Sequence, residues 1–97
     1  MGTRDELQAL VRRAQEGDRE AFETAVETCR DRLERFVGTR LGKHLRHDVE
    51  PEDVLQETYA QALESLPRFR WAGSGSFLRW LLGIAEHVIL SQARRSR

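Results

Sequence analysis

The helical spacing of apolar residues is the feature that most constrains the fold of this chain. Through the segment 18–41, apolar side chains recur at i, i+3, i+4 and i+7, which places one apolar stripe along a single helix face. Prolines occur only at Pro51 and Pro67, and no stretch shows the alternation typical of a strand. The sequence therefore predicts an all-α fold. The stripe consists of Phe22, Ala25, Val26, Cys29, Leu33, Phe36, Val37 and Leu41.

The same periodicity predicts a compact bundle of four helices, at roughly 4–16, 18–41, 51–66 and 75–94. The connections are short, and the sequence has no internal repeat or low-complexity segment. A chain of 97 residues is at the small end of what one hydrophobic core can stabilise. We therefore expect one domain over 1–97.

Helix termini are marked by residues with suitable backbone chemistry. Asp18 can cap the second helix, and Gly42 can end it. Pro51 fits the first turn of the third helix, where its missing N–H costs nothing. Ser74 or Ser76 can cap the fourth helix.

Composition places the chain among soluble globular proteins. Hydrophobic residues make up 39% and charged residues 33% of the chain. No apolar run is long enough to span a bilayer, and the N-terminus lacks the apolar core of a signal peptide. Cys29 has no partner for an internal disulfide. These features predict a cytoplasmic protein.

Charge is balanced overall but separated along the chain. Sixteen basic and sixteen acidic residues cancel. Segment 48–64 has six acidic residues and no Lys or Arg, whereas 67–97 has six arginines and only Glu86 against them. This asymmetry favours two different partners, although two solvated helix faces would also explain it.

The third helix presents a polar outer face. Its apolar residues Val54, Leu55, Tyr59 and Leu63 predict the inward side. The outward side then carries Asp53, Gln56, Glu57, Ala60 and Glu64. The carboxylates of Asp53 and Glu57 are four residues apart and repel each other, so they do not stabilise the helix. Their placement would instead suit binding of an external basic partner. Ordinary solvent exposure is the alternative.

Cations and aromatic rings alternate in the loop 67–75, as Arg68, Phe69, Arg70 and Trp71. Unpaired bases require a π-face for stacking and a charge for phosphate, and this loop supplies both. Alternatively, Phe69 and Trp71 fix the loop on the bundle.

The fourth helix adds two further candidate surfaces. Phe77 and Trp80 are three residues apart and can be adjacent, so one of them can protrude from the core. An outer line that could follow a nucleic-acid backbone contains His87, Ser91, Arg94 and Arg95.

Signals for catalysis are weak. The sequence contains no glycine-rich phosphate loop and no nucleophile motif. Of the residues that could gather a metal, Cys29, His44, His47 and His87, only the first two histidines are closely spaced. We therefore expect no enzyme activity, no cofactor and no metal, with a small helical metalloenzyme as a remote alternative.

Three segments of the sequence form a recognisable set: Asp-Arg-Glu-Ala-Phe at 18–22, Pro-Glu-Asp-Val-Leu-Gln-Glu at 51–57 and Phe-Leu-Arg-Trp-Leu-Leu-Gly-Ile-Ala at 77–85. Together they resemble region 2 of bacterial sigma factors of the sigma-70 family, in the extracytoplasmic-function (ECF) group. The resemblance covers nearly the whole chain and implies a transcription initiation factor domain that is not an enzyme.

The resemblance implies docking of the third helix on the clamp coiled coil of the RNA polymerase β′ subunit. The polymerase-binding residues would be Asp53, Gln56 and Glu57, with Leu55 packing beside them. It also implies capture of single-stranded, non-template promoter DNA at the melting −10 element. The DNA-binding residues would be Arg68, Arg70, Trp71, Ser76, Phe77, Trp80, His87, Arg94 and Arg95, with Arg97 at a further phosphate.

The sequence departs from the family pattern on the last helix. Gly83 stands where arginine is common, Glu86 adds a negative charge, His87 replaces a usual asparagine and Ser91 replaces a frequent Asp or Asn. Tyrosines common near Thr28 in the second helix are also missing. These changes concern −10 sequence preference more than fold.

The resemblance includes no domain that reads the −35 element, so we expect either an excised domain or a naturally short protein. A sigma-like interaction module that serves as a docking or anti-sigma factor target, without promoter reading, is the main alternative. Neutral net charge and Glu86 favour it.

Overall fold

The computed structural model describes residues 3–45 and 49–95, with side chains for 6–42 and 49–95. The predicted all-α class is confirmed, and the described residues contain no strand. They form five α-helices where four were predicted. The helices are α1 (Thr3–Gln15), α2 (Arg19–Glu27), α3 (Arg30–Leu45), α4 (Pro51–Ser65) and α5 (Ser76–Arg95), and a 3₁₀ turn follows α4 at Leu66–Arg68.

The single helix predicted over 18–41 is wrong, because the chain breaks at Thr28 and Cys29 into α2 and α3. The Thr28 hydroxyl donates to the Ala25 carbonyl at 2.6 Å, and the Cys29 amide donates to the Val26 carbonyl at 2.9 Å. A bond to the third preceding residue tightens the turn and interrupts the α-helical ladder. The apolar stripe continues across this break, so periodicity alone did not reveal it.

The predicted helix termini are largely confirmed. Asp18 caps α2, since its Oδ1 accepts a 3.0 Å hydrogen bond from the Ala21 amide. At Gly42 the φ angle is 58°, so regular helical backbone stops there inside α3. Pro51 is the first residue of α4. Ser76 begins α5, but its hydroxyl accepts from the Ala72 amide at 3.0 Å and thus fastens the preceding loop.

Helix α5 is central to the packing, since it contacts both α3 and α4, while α1 packs on α2. Its buried side chains are Ser76, Phe77, Leu81, Ala85, Val88 and Ile89.

Among the residues that the structure describes, none of the helices combines the length and apolarity that a membrane span requires.

The loop after α4 is fixed from two sides. The Gln15 side-chain amide donates to the Leu66 carbonyl at 3.1 Å and to the Phe69 carbonyl at 2.7 Å. The Phe69 ring lies 4.8 Å from the Trp80 ring and 5.6 Å from the Phe77 ring, between centroids. These contacts hold the loop between α1 and α5.

Candidate functional site

The outward face predicted for α4 is confirmed for four of its five residues. Asp53, Gln56, Ala60 and Glu64 are exposed along its length. Leu55, in contrast, is only 7% exposed and belongs to the core. It can support the surface beside it but offers little area of its own to a partner.

Glu57 lies at the edge of this face and is already bound within the protein. Its carboxylate accepts hydrogen bonds from the Gln92 amide at 3.1 Å and the Gln61 amide at 3.2 Å, and Arg95 approaches it at 3.6 Å. The hydrogen bond from Gln92 is the main reason why the pKa of Glu57 is lowered, with smaller contributions from Gln61 and Arg95. Glu57 therefore connects α4 to the C-terminal part of α5.

We expect Glu57→Gln to remove part of the acid sensitivity of folding. A glutamate whose pKa is lowered in the folded state stabilises that state fully above its ordinary value of 4.5, and the stabilisation disappears as pH falls through the lowered pKa. The variant should melt below the wild type at neutral pH, and the two should converge in acid. Thermal unfolding across this pH range tests the prediction, with the exposed Glu64→Gln as control. A difference that stays constant with pH would contradict it.

The loop between α4 and α5 exposes both of its cations. Arg68 and Arg70 are exposed, and Trp71 is half-buried against the edge of the core. Of the two aromatic residues considered in α5, Phe77 is fully buried and Trp80 is half-buried. The surface of this region is therefore formed by the loop cations, Trp71 and one side of Trp80.

The outer line of α5 is also present on the surface. His87 and Arg94 are exposed and Ser91 is half-buried. Arg95 is exposed as well, although it is the partner of Glu57. Arg97 lies outside the described residues.

Glu86 has a partner that the sequence did not reveal. Its carboxylate forms a 3.2 Å ion pair with Arg40 on α3, and the Arg40 guanidinium also lies 5.1 Å from the centre of the Phe36 ring. The negative charge of Glu86 on α5 is therefore partly compensated within the protein. Gly83, nearby on α5, faces open space.

No cluster of three metal-ligating side chains occurs in the part of the chain that the structure describes. The side chains of His44 and His47 lie outside it. Cys29 is buried, and burial raises the pKa of its thiol. The thiol is therefore less readily ionised than an exposed one.

Comparisons with known proteins agree on one family. The family profile described as Sigma-70 region 2 matches residues 25–97. The chain is 36% identical over 90 residues to the ECF RNA polymerase sigma factor SigD of Mycobacterium tuberculosis, covering 93% of this chain and 42% of that protein. It is 35% identical over 96 residues to the ECF RNA polymerase sigma-E factor of Haemophilus influenzae, covering 91% of this chain and 45% of that protein.

The chain thus spans less than half the length of these two relatives. No solved structure matches it.

Proposed function

The chain belongs to the sigma-70 region 2 family, in its ECF group, and we propose that it binds the β′ clamp coiled coil of RNA polymerase and recognises and helps to melt the promoter −10 element. Members of this family are transcription initiation factors and not enzymes. Catalysis would remain with the polymerase core.

The observation that carries this proposal is the placement of two chemically different surfaces around α4. The exposed Asp53 and Gln56 give the helix an acidic and polar outer face. The loop that follows α4 exposes Arg68, Arg70 and part of Trp71. A basic protein partner and a nucleic acid can therefore bind one small domain without competing for the same side chains.

On the polymerase side, Asp53 and Gln56 would make the direct contacts. Leu55 would contribute indirectly, because its buried side chain holds α4 on the core. Glu57 has most of its hydrogen-bonding capacity satisfied by Gln61, Gln92 and Arg95, so its role would include positioning the end of α5.

On the DNA side, Trp71 would stack on an unpaired base, and Arg68 and Arg70 would contact phosphates. Ser76 and Phe77 would hold the loop in place, because both are buried. Trp80 would close one side of this surface. His87, Arg94 and Arg95 would follow the upstream DNA along α5.

Extruding a base costs a few kcal/mol, and a surface that binds the extruded base offsets this cost. With no net charge, the domain alone should bind DNA weakly, and polymerase would supply the remaining contacts.

Docking is tested by measuring the affinity of the domain for the isolated β′ clamp coiled coil. We expect Asp53→Arg to weaken binding about tenfold, because it replaces a favourable charge at the interface with a repulsive one. Asp53 has no ion pair within the described residues, so the change should cost only the favourable interaction of an acidic residue with the first turn of α4, about 0.3–1 kcal/mol, and leave the domain folded.

Glu16→Arg is the matched control, since Glu16 is exposed near the end of α1 and undergoes the same charge reversal. Equal affinities for the Asp53 and Glu16 variants would refute docking through α4. A wild-type domain that does not bind the coiled coil would refute it as well.

A sigma-like interaction module without promoter reading is the second candidate function. It is favoured by the net charge of zero and by Glu86, which remains acidic on α5 although Arg40 compensates it in part. An anti-sigma factor could be the partner of such a module. Sequence-selective binding of single-stranded −10 DNA would exclude this candidate.

A further inference from the structure

The side chain of Gln15, the last residue of α1, is hydrogen-bonded to the loop that follows α4. Its amide donates to the Phe69 carbonyl at 2.7 Å and to the Leu66 carbonyl at 3.1 Å, across 54 and 51 residues of sequence. Helix α1 ends before residues 25–97, which the family profile matches. The loop is therefore held in part by a helix that lies outside the matched residues.

Gln15 is itself held in place by the way in which α1 ends. The Gly17 amide donates to the Ala14 carbonyl at 3.0 Å, and Gly17 has a φ angle of 107°. The Asp18 amide donates to the Arg13 carbonyl at 3.0 Å, and the side chains of these two residues form an ion pair at 3.5 Å. This is the hydrogen-bonding pattern of a Schellman motif, which ends a helix at a glycine. The Gln15 side chain therefore extends from a well-defined turn.

The bond to Phe69 restricts the backbone that leads into the exposed part of the loop. The Phe69 carbonyl and the Arg70 amide belong to one planar peptide unit, so a bond to the carbonyl oxygen restrains the dihedral angles on both sides of that unit. The ψ angle of Phe69 is 138°, which is extended backbone. The direction in which the chain continues to Trp71 is thus set at this peptide.

A second bond restrains the backbone on the other side of Trp71. The Ala72 amide, which belongs to the peptide unit shared with Trp71, donates to the Ser76 hydroxyl at 3.0 Å. Arg70 and Trp71 therefore lie between two fixed peptide units, one held by α1 and the other by α5. A loop that is ordered before its ligand arrives loses less conformational entropy when it binds.

We propose that Gln15 is a positioning residue for nucleic-acid binding: it fixes the peptide between Phe69 and Arg70 and so holds Trp71 where an unpaired base can stack on it. This inference rests on the proposed DNA binding by the loop, and it adds α1 to the DNA-binding unit. Gln15 acts without touching the DNA. When its two hydrogen bonds are removed, the loop must be ordered during binding, and affinity falls.

The test measures binding of a labelled pool of short single-stranded oligonucleotides of randomised sequence by fluorescence anisotropy. Gln15→Ala removes the side chain, whereas Gln15→Met keeps its length and lack of charge and removes only the donor. We expect both variants to bind about two- to tenfold more weakly than the wild type, the effect of ordering one or two further groups on binding.

Gln8→Ala is the matched control. Gln8 is half-buried on the same helix, and its side chain forms no hydrogen bond to any of the described residues. This variant should bind DNA like the wild type. Thermal unfolding checks that all of the variants are folded at the temperature of the binding measurement.

A double-mutant cycle separates positioning from a general structural role. If Gln15 acts through Trp71, Gln15→Ala should have little effect on DNA affinity in a Trp71→Ala background, because residues that act through one contact are not additive. Equal losses in the two backgrounds would overturn the inference. Wild-type affinity in either Gln15 variant would overturn it as well.

The failure of this inference can be distinguished from the failure of the proposed DNA binding. If Trp71→Ala alone weakens binding while the Gln15 variants do not, base stacking on the loop stands and Gln15 has no part in it. If the wild type does not bind the oligonucleotides, or Trp71→Ala leaves the affinity unchanged, base stacking on Trp71 is wrong and the inference is wrong with it.

Discussion

Phe77→Ala is expected to lower the free energy of unfolding by about 3–5 kcal/mol. The side chain is 0% exposed, and its ring lies 5.6 Å from Phe69 and 5.7 Å from Trp80. Its removal leaves a cavity and also removes one of the two ring contacts that hold Phe69 on α5. Because native domains are stable by only about 5–15 kcal/mol, this loss removes a large fraction of the free energy of unfolding.

Urea denaturation followed by circular dichroism measures this loss. Phe36→Ala is the matched control, since Phe36 is only half-buried and packs beside the Arg40 guanidinium on α3. The control should lose much less stability. Equal losses of unfolding free energy in the two variants would contradict the prediction, because they would mean that complete burial of Phe77 adds nothing to its contribution to stability. The large expected effect also makes Phe77→Ala unsuitable for testing direct contact with DNA.

The sequence predicted those parts of the fold that depend on local patterns. Apolar periodicity located α1, α4 and α5 to within two residues at their ends, and Asp18 and Pro51 marked two helix starts correctly. Periodicity did not detect the break at Thr28, because that break comes from a side-chain hydrogen bond to the preceding turn and leaves the apolar stripe intact.

The candidate site was predicted in outline. Spacing alone placed Asp53 and Gln56 outward, and this is confirmed. It could not decide whether Phe77 or Trp80 is the more buried, since residues three apart on a helix differ by only a small rotation.

The side-chain contacts of Glu57 and Glu86 could likewise not be predicted from the sequence. Gln92 is 35 residues from Glu57, and Arg40 is 46 residues from Glu86. Such contacts depend on how the helices pack together, and no local pattern in the sequence encodes them.

Trp71→Ala is expected to weaken binding of single-stranded DNA by about 1–3 kcal/mol, the usual contribution of one stacked base. This corresponds to roughly 5- to 150-fold in affinity. Trp71 can make this contribution because it is half-buried: one part of the side chain packs against the core, and the rest is exposed. Stacking needs only a π-face, so Trp71→Phe should retain most of the affinity.

Fluorescence anisotropy with a labelled pool of short single-stranded oligonucleotides of randomised sequence measures this effect, at low ionic strength because phosphate contacts are screened by salt. Thermal unfolding of both variants shows whether the domain remains folded, and the contacts of Phe69 with Gln15 and Trp80 that fix the loop do not involve Trp71. Equal affinity of the wild type and a folded Trp71→Ala variant would mean that the ring only holds the loop. Loss in the folded alanine variant together with retention in the phenylalanine variant is the result expected when a base stacks on residue 71, because only the phenylalanine variant keeps a π-face.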